Sequence, residues 1–338
     1  MLRKTVFWVF TSFSAVCVYW QIILAFRKYE VGRVALIKSV AGRAEYVGAK
    51  TSSSGHEAVH NVSLPSASAS HKSPSWELAM NGTSTSYAHS LSCTQEDIER
   101  WSGTIVLVTT NAGFLDVTEN MLESVKRARA CPSITIIAED ELSYQILTKR
   151  MKSQRGLHVQ RSDLGATESK SLMFDSPQYT QFVRRRPHYV LSLLEKGRDV
   201  LFVDSDTFWF KDPFEDLQGN FDIAMHNEKD NVAAFCDGFA YYRRTNNTLR
   251  FVREWVRLLN SHTWLPDQRI MNQMISEKRV PGLKIKTLNE TNYPDGRKYF
   301  HWVGWREKHN DTTVLHLTFV KGHDAKVKKL KEFGWWLI

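Results

Sequence analysis

The stretch LFVDSDTFWFKDPF, from Leu201 to Phe214, runs from three apolar residues directly into Asp-Ser-Asp and then into aromatic residues. A short apolar run of this kind predicts a buried strand of a sheet. Asp204 and Asp206 stand at the carboxyl end of that strand. In open α/β sheets ligands bind beyond the carboxyl ends of the strands, so the two aspartates lie where a ligand is expected.

Strand-like and helix-like segments alternate around this stretch. Strands are predicted for TIVLVTT, SITIIA, DVLFVD, DIAMH, GFAYYR and TVLHL. Helices are predicted for FLDVTENMLESVKRAR, EDELSYQILTKRMKSQ, RRPHYVLSLLEKG, TLRFVREWVRLL and DQRIMNQMISEK. This alternation predicts an α/β fold with a mainly parallel central sheet and helices on both faces. We expect a single catalytic domain over 101–338.

The composition is that of a globular protein with a substantial core, since 42% of the 338 residues are hydrophobic and 24% are charged. The formal net charge of +9 suits nucleic acid, a membrane surface or an anionic small substrate. No nucleic-acid-binding motif accompanies the charge. We therefore expect no nucleic-acid partner and favour an anionic small substrate.

An apolar segment near the amino terminus, Thr5 to Phe26, contains 22 residues without a charge, which is long enough to cross a bilayer as one helix. A cleaved signal peptide is the alternative, but the run exceeds the usual apolar core of a signal and no small-x-small cleavage site follows closely. We predict a cytosolic tail at 1–4, a transmembrane signal anchor at 5–26 and a stem at 27–100. The stem is rich in Ser, Ala, His and Thr and cannot bury enough apolar surface to fold alone.

The glycosylation sequons and the cysteines follow this segment. The Asn-x-Ser/Thr sequons begin at Asn61, Asn81, Asn246, Asn289 and Asn310. Together with the short tail they favour a single-pass type II membrane protein with a lumenal body, in an oxidising compartment. Besides Cys17 in the anchor, the chain has Cys93, Cys131 and Cys236, which allow at most one internal disulfide and leave the pairing open.

Two carboxylates in an Asp-x-Asp arrangement at a strand end can share one hard divalent cation, and oxygen ligands suit Mg²⁺ or Mn²⁺. Such a cation binds phosphate oxygens and neutralises a diphosphate leaving group. A solvated strand end is the alternative interpretation. Another is an Asp-nucleophile phosphatase of the haloacid-dehalogenase type, which DSDTF matches imperfectly because Thr207 stands one place early and no later acidic pair follows.

A membrane anchor, a stem and a lumenal Asp-x-Asp domain resemble a Golgi glycosyltransferase of the GT-A type. The segment VLFVDSDTFWFKDPF, preceded by RRRPHYVLSLLEKG, is similar to the nucleotide-diphospho-sugar transferase family that includes plant pectin α-xylosyltransferases and arabinosyltransferases. The segments CDGFAYYRR, DQRIMNQMI and VLHLTFVKG follow in that family's order, so the resemblance covers most of 101–338. It implies a GT-A fold, a UDP-sugar donor, Mn²⁺ dependence, retention of anomeric configuration and a glycan or glycoprotein hydroxyl as acceptor.

The metal-ligand candidates are Asp206, Asp204 and His316. Asp206 is the first choice for direct ligation, and Asp204 would reach the metal or the ribose. His316 ends the predicted strand TVLHL, where the resemblance implies a third metal ligand. A neutral imidazole is a reasonable ligand for Mn²⁺, although a histidine beside a strand also occurs for structural reasons.

Basic residues and a glycine are candidates for binding the donor. The resemblance implies that an arginine at the start of the third helix faces the donor, with Arg185 and Arg186 as candidates and Arg184 as a further possibility. Lys321, Gly322 and Lys326 follow His316; glycine lets the backbone approach a phosphate and lysine offers it a positive charge. The further lysines of this run are interpreted as a solvated helix face.

The catalytic candidates are Asp237, Asp267 and Gln268. Asp237 lies in CDGFAYY, where relatives usually carry Asn or a small residue, and its carboxylate could accept hydrogen bonds from sugar hydroxyls. Asp267 and Gln268 begin the helix DQRIMNQM and could face the anomeric carbon, although Asp267 could instead be an N-cap. Asn272, one turn later, could share that face.

Aromatic residues offer stacking surfaces for sugar rings. Trp302 and Trp305 are candidates for the acceptor site, whereas Trp209 is better explained as core. The sequence thus predicts a Mn²⁺-dependent (Mg²⁺ also suits) UDP-sugar glycosyltransferase in the Golgi membrane. A catalytically inactive lumenal sugar-binding or scaffold protein with the same fold is the alternative from another class.

Overall fold

A computed structural model of the chain describes residues 93–228 and 234–338. The strands in these ranges are β1 Thr104–Thr110, β2 Ser133–Ala138, β3 Leu157–Arg161, β4 Asp199–Val203, β5 Thr207–Trp209, β6 Ile223–Asn227, β7 Phe235–Tyr242, β8 Ile285–Leu288 and β9 Val314–His316. Seven of them form one sheet in the order β3-β2-β1-β4-β7-β6-β8. Strands β1 to β4 pair in parallel, as do β6 and β8, whereas β7 is antiparallel to both of its neighbours. The prediction of a mainly parallel central sheet is confirmed.

Helices connect most of these strands. They are α1 Gln95–Glu99, α2 Leu115–Arg127, α3 Glu141–Met151, α4 Pro177–Val183, α5 Arg186–Glu195, α6 Asn246–Ser261, α7 Asp267–Ser276, α8 Gly296–His301, α9 Trp305–Lys308 and α10 His323–Glu332. The five helices predicted from the sequence correspond to α2, α3, α5, α6 and α7. Local signals explain their bounds: the Asp140 side chain accepts from two backbone N–H groups at the start of α3, and Gly197 follows α5 at φ +87°.

Alternate residues of the central strands face two separate cores. Val106 and Val108 of β1 lie in a core shared with α2 and α3, whereas Leu107 lies in a core shared with α5, α6 and α7. This alternation follows from the two-residue period of a strand. Helices therefore cover both faces of the sheet, as predicted.

A second, two-stranded sheet forms where β5 pairs with β9 in antiparallel register. The predicted strand TVLHL is shorter than expected and lies in this small sheet, outside the central one. Aromatic side chains from the carboxyl-terminal part of the chain pack around it in a third core that includes Phe208, Tyr299, Trp305 and Trp335. The sequence did not predict this sheet, because three-residue strands carry almost no periodic signal.

One disulfide ties the beginning of the described body to the segment after α2. Cys93 and Cys131 form it with their Cα atoms 5.6 Å apart, and Cys236 is buried with a free thiol. Within the described ranges no helix is long and apolar enough to cross a membrane. The predicted tail at 1–4, the anchor at 5–26 and most of the stem lie outside those ranges, while α1 falls in the last residues predicted as stem.

Candidate active site

A cleft of about 560 Å³ opens beyond the carboxyl ends of β1 and β4. It brings together nearly all of the site residues expected from the sequence. Those that line it are Arg186, Asp204, Asp206, Asp237, Asp267, Gln268, His316, Lys321, Gly322 and Lys326. Arg185 is the predicted site residue that does not line it.

Three potential metal ligands meet at one side of the cleft. One ligand atom from each of Asp204, Asp206 and His316 can be chosen so that all lie within 4.8 Å of one another. His316 Nε2 is 3.3 Å from Asp206 Oδ1 and 3.6 Å from Asp204 Oδ2. His316 Nδ1 lies 3.6 Å from the Cys236 thiol, so the opposite ring nitrogen is the one directed at the carboxylates.

The small sheet brings the distant histidine to the aspartates. Thr207 of β5 pairs with His316 of β9, and the Leu317 N–H donates to the Asp206 carbonyl at 3.0 Å. The turn between β4 and β5 is closed by the Thr207 N–H, which donates to the Asp204 carbonyl at 3.2 Å. A chain separation of more than one hundred residues is thus bridged by backbone pairing, which places His316 beside the turn that carries Asp204 and Asp206.

A glycine leaves room for this group. A Cβ atom on Gly238 of β7 would lie 2.4 Å from both Asp204 Oδ2 and His316 Cε1. Atoms do not approach so closely without displacement, so any side chain here would push the ligands apart. The Gly in CDGF is therefore explained by the close approach of the metal-ligand candidates to the backbone.

A lysine and the histidine lie against the Asp206 carboxylate. Lys326 Nζ lies 2.6 Å from Asp206 Oδ2 and also donates to the Leu317 carbonyl at 2.8 Å. Burial raises the pKa of Asp206, but Lys326 and His316 lower it by more, and the net pKa lies well below the usual value. Asp206 is therefore held as a carboxylate, the form that a cation requires.

Arg186 lies at the centre of three carboxylates. Its guanidinium is 2.8 Å from Asp204 Oδ1 and 4.0 Å from both Asp237 and Asp267. Its side chain is buried over the Phe202 ring at the start of α5. This arrangement assigns to Arg186 the cleft-facing position that the sequence left open among three consecutive arginines.

The other two arginines have different partners. Arg185 donates to Glu139, whose side chain is fully buried, and to the Gly165 carbonyl. Arg184 donates to the backbone carbonyls of Leu259, His262 and Leu265. These contacts hold the surrounding loops to the helix corner and do not reach the cleft.

Asp237 and Asp267 form a second, buried acidic pair. Burial and then the adjacent Asp267 carboxylate raise the pKa of Asp237 well above its usual value. Burial also raises the pKa of Asp267, to about 6. Both shifts favour the protonated form of the carboxyl groups, because two buried acidic side chains lie side by side.

Several polar atoms of this pair and its arginine have no hydrogen-bond partner within the described ranges. They are Asp237 Oδ2, Asp267 Oδ2 and Arg186 Nε, all buried. Buried polar atoms without partners are rare in folded proteins. Their presence along the cleft indicates a site prepared for a polar ligand.

The first turn of α7 carries the remaining catalytic candidates. Pro266 is the N-cap and Asp267 is the first helical residue, so the N-cap interpretation of Asp267 is wrong. Gln268 lines the cleft and donates to Glu228 at 3.4 Å. Asn272 also lines the cleft, but its amide accepts from the Phe235 N–H at 2.7 Å and donates to the Phe235 carbonyl at 2.8 Å, so it braces β7.

The residues of the lysine run lie in two different settings. Lys321 and Gly322 line the cleft just before α10, with Gly322 at φ +83°, and Lys326 is buried beside Asp206. Lys328 and Lys329 pair with Glu332 along the helix. Of the tryptophans, Trp209 and Trp305 are buried and Trp302 is half exposed; none of the three lines the cleft.

Sequence reasoning missed the aromatic residues that line the cleft, among them Phe174 and Phe319, and the thiol of Cys236. Phe174 lies in the long segment between β3 and α4, which carries no periodic pattern. Phe319 lies within VLHLTFVKG, so its proximity to His316 was the available signal. Aromatic residues among apolar neighbours usually belong to the hydrophobic core, so no pattern in the sequence indicated that these residues belong to the site.

The ligand set fits a divalent cation. Two carboxylates and one imidazole are the donors that Mn²⁺ accepts. Arg186 and Lys326 add positive charge to the cleft, which favours an anionic ligand. The site therefore combines a cation-binding group, an anion-binding group and unpaired polar atoms in one cleft.

Residues 129–330 match the sequence profile of the family described as nucleotide-diphospho-sugar transferase, which is more than half of the chain. An Arabidopsis thaliana protein named UDP-D-xylose:L-fucose alpha-1,3-D-xylosyltransferase 1 is 24% identical over 70% of this chain and 71% of its own. A Dictyostelium discoideum protein named UDP-galactose:fucoside alpha-3-galactosyltransferase is 22% identical over 69% of this chain and 43% of its own.

Solved structures with a related shape include the glycosyltransferase GlyE of Streptococcus pneumoniae. It has a TM-score of 0.47 and 14% identity, and the alignment covers 70% of this chain and 61% of GlyE.

Proposed function

The chain belongs to the nucleotide-diphospho-sugar transferase family, and from this premise we propose that it is a retaining, Mn²⁺-dependent enzyme that transfers a sugar from a UDP-sugar to a fucose hydroxyl of a glycan or glycoprotein. As a member of this family it is a glycosyltransferase, and this replaces the phosphatase interpretation. One observation carries the proposal. Asp204, Asp206 and His316 meet in the same cleft as Arg186 and the Asp237–Asp267 pair.

The choice of acceptor comes from the names of the relatives. The Arabidopsis enzymes are named for transfer of xylose to L-fucose, and the Dictyostelium enzyme for transfer of galactose to a fucoside. The donors differ while fucose is common to both, so we infer a fucose acceptor, with UDP-xylose and UDP-galactose as the first donors to test. UDP-xylose and UDP-galactose carry an α-linked sugar, and the named products are α-linked, which supports retention.

Asp206, Asp204 and His316 would hold the cation. Bound there, Mn²⁺ would neutralise the charge that develops on the diphosphate leaving group. Lys326 holds Asp206 as a carboxylate, and Arg186 fixes Asp204 at 2.8 Å. Lys321 and Gly322 lie at the start of α10, where a lysine ammonium and exposed backbone N–H groups suit phosphate oxygens.

The donor sugar would lie against the buried acidic pair. Within the described residues Asp267 Oδ2 and Asp237 Oδ2 have no hydrogen-bond partner, and sugar hydroxyls would supply partners to both. Gln268 lies beside them at the amino end of α7. We assign Asp267 and Gln268 to the catalytic face and Asp237 to recognition of the donor sugar.

The cellular setting follows from the sequence. The apolar run at 5–26 and the sequons that follow it favour a type II anchor with a lumenal body. We propose residence in the Golgi membrane, where UDP-sugar-dependent transfer to glycans takes place.

The decisive experiment measures release of UDP by the full chain from UDP-xylose, UDP-galactose, UDP-glucose and UDP-arabinose. Each donor is assayed with Mn²⁺ or chelator, with and without methyl α-L-fucopyranoside. We expect Mn²⁺-dependent release from one donor, increased by the fucoside and lost in Asp206→Asn. Glu195→Gln, which removes an exposed carboxylate paired with Arg253, is the matched control and should leave the rate unchanged.

The outcomes separate the remaining interpretations. Release of UDP without any effect of chelator would reject the metal site. No release and no binding of any UDP-sugar would favour the inactive sugar-binding or scaffold protein with the same fold.

A further inference from the structure

Two aromatic rings lie exposed along the cleft outside the charged cluster. The side chains of Phe174 and Phe319 are 50% and 43% exposed, and both line the cleft. We call these two residues the aromatic lip. Large apolar side chains left in contact with water at a binding cleft indicate a ligand with an apolar surface.

The backbone holds Phe319 in an unusual conformation. Its φ is +66°, a left-handed conformation that is rare for a bulky residue. Strained conformations of this kind persist only where the surrounding structure imposes them, and they cluster at ligand-binding sites. Phe319 follows His316 by three residues, so the strain lies in the same segment as a metal-ligand candidate.

The contacts around Phe319 show how it is held. The Arg297 guanidinium lies 4.4 Å from the centre of the Phe319 ring. Arg297 in turn donates to Asp295, which is fully buried, at 3.0 Å and to the Glu228 carbonyl at 3.3 Å. A Cβ on Gly296 would come 2.7 Å from the Thr318 carbonyl, so the backbone before Phe319 is closely packed. The ring is therefore pre-positioned.

Phe174 completes the lip from a different part of the chain. Its ring packs 5.1 Å from the ring of Tyr179, and Lys321 Nζ lies 5.7 Å from its centre. Lys321 follows Phe319 by two residues. The segment after His316 therefore supplies one ring of the lip directly and contacts the other through its lysine.

We propose that the aromatic lip binds the acceptor saccharide by stacking on its apolar C–H face, and this inference rests on the proposed function. The charged groups of the cleft suit the diphosphate and the hydroxyls of the donor, and they offer no surface for an apolar face. A 6-deoxy sugar such as fucose has a methyl group in place of a hydroxymethyl group, so its C–H surface is larger. Aromatic rings present a flat apolar surface at low entropic cost because they have few rotatable bonds.

The test compares three variants of the full chain with wild type. Phe319→Gly removes the ring and tolerates the positive φ, whereas Phe319→Tyr keeps the ring. Trp264→Ala is the matched control, because Trp264 is an exposed aromatic residue that lies outside the cleft lining. Circular dichroism and thermal unfolding verify that each variant is folded.

We expect the KM for methyl α-L-fucopyranoside to rise about tenfold in Phe319→Gly, the size of effect that loss of one stacking contact produces. The KM for the UDP-sugar and the acceptor-independent release of UDP should stay within twofold of wild type. Phe319→Tyr and Trp264→Ala should retain the wild-type acceptor KM. An unchanged acceptor KM in Phe319→Gly overturns the proposal, and so does a loss of UDP affinity, which would place the uracil ring on Phe319.

A binding measurement separates this inference from the proposed fucose acceptor. Saturation-transfer NMR is recorded for methyl glycosides of fucose, galactose, arabinose and glucose with wild type, UDP and Mn²⁺. If a sugar other than fucose binds and its signal is lost in Phe319→Gly, the fucose assignment is wrong. The proposal that the aromatic lip binds the acceptor is then supported. If every bound sugar gives the same signal in Phe319→Gly as in wild type, the lip is rejected whichever acceptor is correct.

Discussion

Asp204, which directly follows β4, and Gly238, which lies within β7, approach each other so closely that no side chain fits between them. The Asp204 N–H donates to the Gly238 carbonyl at 2.7 Å, and a Cβ on Gly238 would lie 2.4 Å from Asp204 Oδ2. The same Cβ would lie 2.4 Å from His316 Cε1. The glycine thus sets the distance between two metal-ligand candidates that lie far apart in the chain.

Gly238→Ala should therefore disturb the metal site. We expect the methyl group to displace Asp204 and His316 and to lower Mn²⁺-dependent turnover by about a hundredfold, the usual effect of a misplacement near 1 Å. Activity and Mn²⁺ affinity are measured together by UDP-release assay and titration calorimetry with UDP. Gly103→Ala is the control, since no heavy atom lies within 4 Å of a Cβ built there. Full activity in Gly238→Ala would contradict the ligand assignment.

Adjacent arginines should respond differently to the same change. Arg186→Lys keeps the charge but loses the planar guanidinium that lies among Asp204, Asp237 and Asp267. We expect turnover of the UDP-sugar to fall at least tenfold, since a single ammonium cannot reach all three carboxylates.

Arg185→Lys provides the comparison one residue earlier. Arg185 pairs with the buried Glu139 outside the cleft, so this variant should lose stability and keep the wild-type KM for the donor. Initial rates and urea unfolding are recorded for both proteins. Equal loss of activity in the two variants would contradict the assignment of Arg186 as the arginine that acts in the cleft.

The stability of the fold should depend on pH through His226. This imidazole is buried, and burial lowers its pKa to about 4, compared with about 6.5 in an unfolded chain. Its folded pKa is depressed, so the unfolded state binds the proton more readily. The stability is fully present above pH 6.5 and is lost as pH falls from 6.5 towards 4, by up to ~1.4 kcal/mol per pH unit.

Urea unfolding at pH 7, 6 and 5 measures this effect. The difference between wild type and His226→Gln should shrink as the pH falls, because the variant has no imidazole to protonate. His158→Gln, which removes an exposed imidazole from β3, is the matched control. Parallel pH dependence of wild type and His226→Gln would show that His226 does not titrate on unfolding.

The disulfide between Cys93 and Cys131 should stabilise the folded body. It closes a loop with a sequence separation of 38 residues, and restriction of the unfolded chain by such a loop contributes about 4 kcal/mol. We expect the double variant Cys93→Ser/Cys131→Ser to lose stability of this order in urea unfolding. Wild type in dithiothreitol should lose the same free energy of unfolding, whereas the reductant should leave the stability of the double variant unchanged. A lower stability of the double variant in dithiothreitol would contradict this prediction.

The sequence by itself determined the elements that local physics controls. The apolar residues of β4 followed by Asp204 and Asp206 predicted both a buried strand and the position of the site. The periodicity of α2, α5, α6 and α7 predicted these helices, because the apolar face of a helix is formed by residues three or four positions apart in the sequence.

Tertiary structure alone decided which side chains meet. Arg184, Arg185 and Arg186 are consecutive, but successive residues around a helix start point in different directions, and only packing fixes which one faces the cleft. Pairing of β5 with β9 brings His316 to Asp206, and strands of three residues leave no readable pattern. The aromatic lip depends on the backbone of Phe319, whose left-handed φ is imposed by its contacts with distant segments. Contacts between residues far apart in the chain depend on how whole elements pack, and a local pattern of residues does not contain that information.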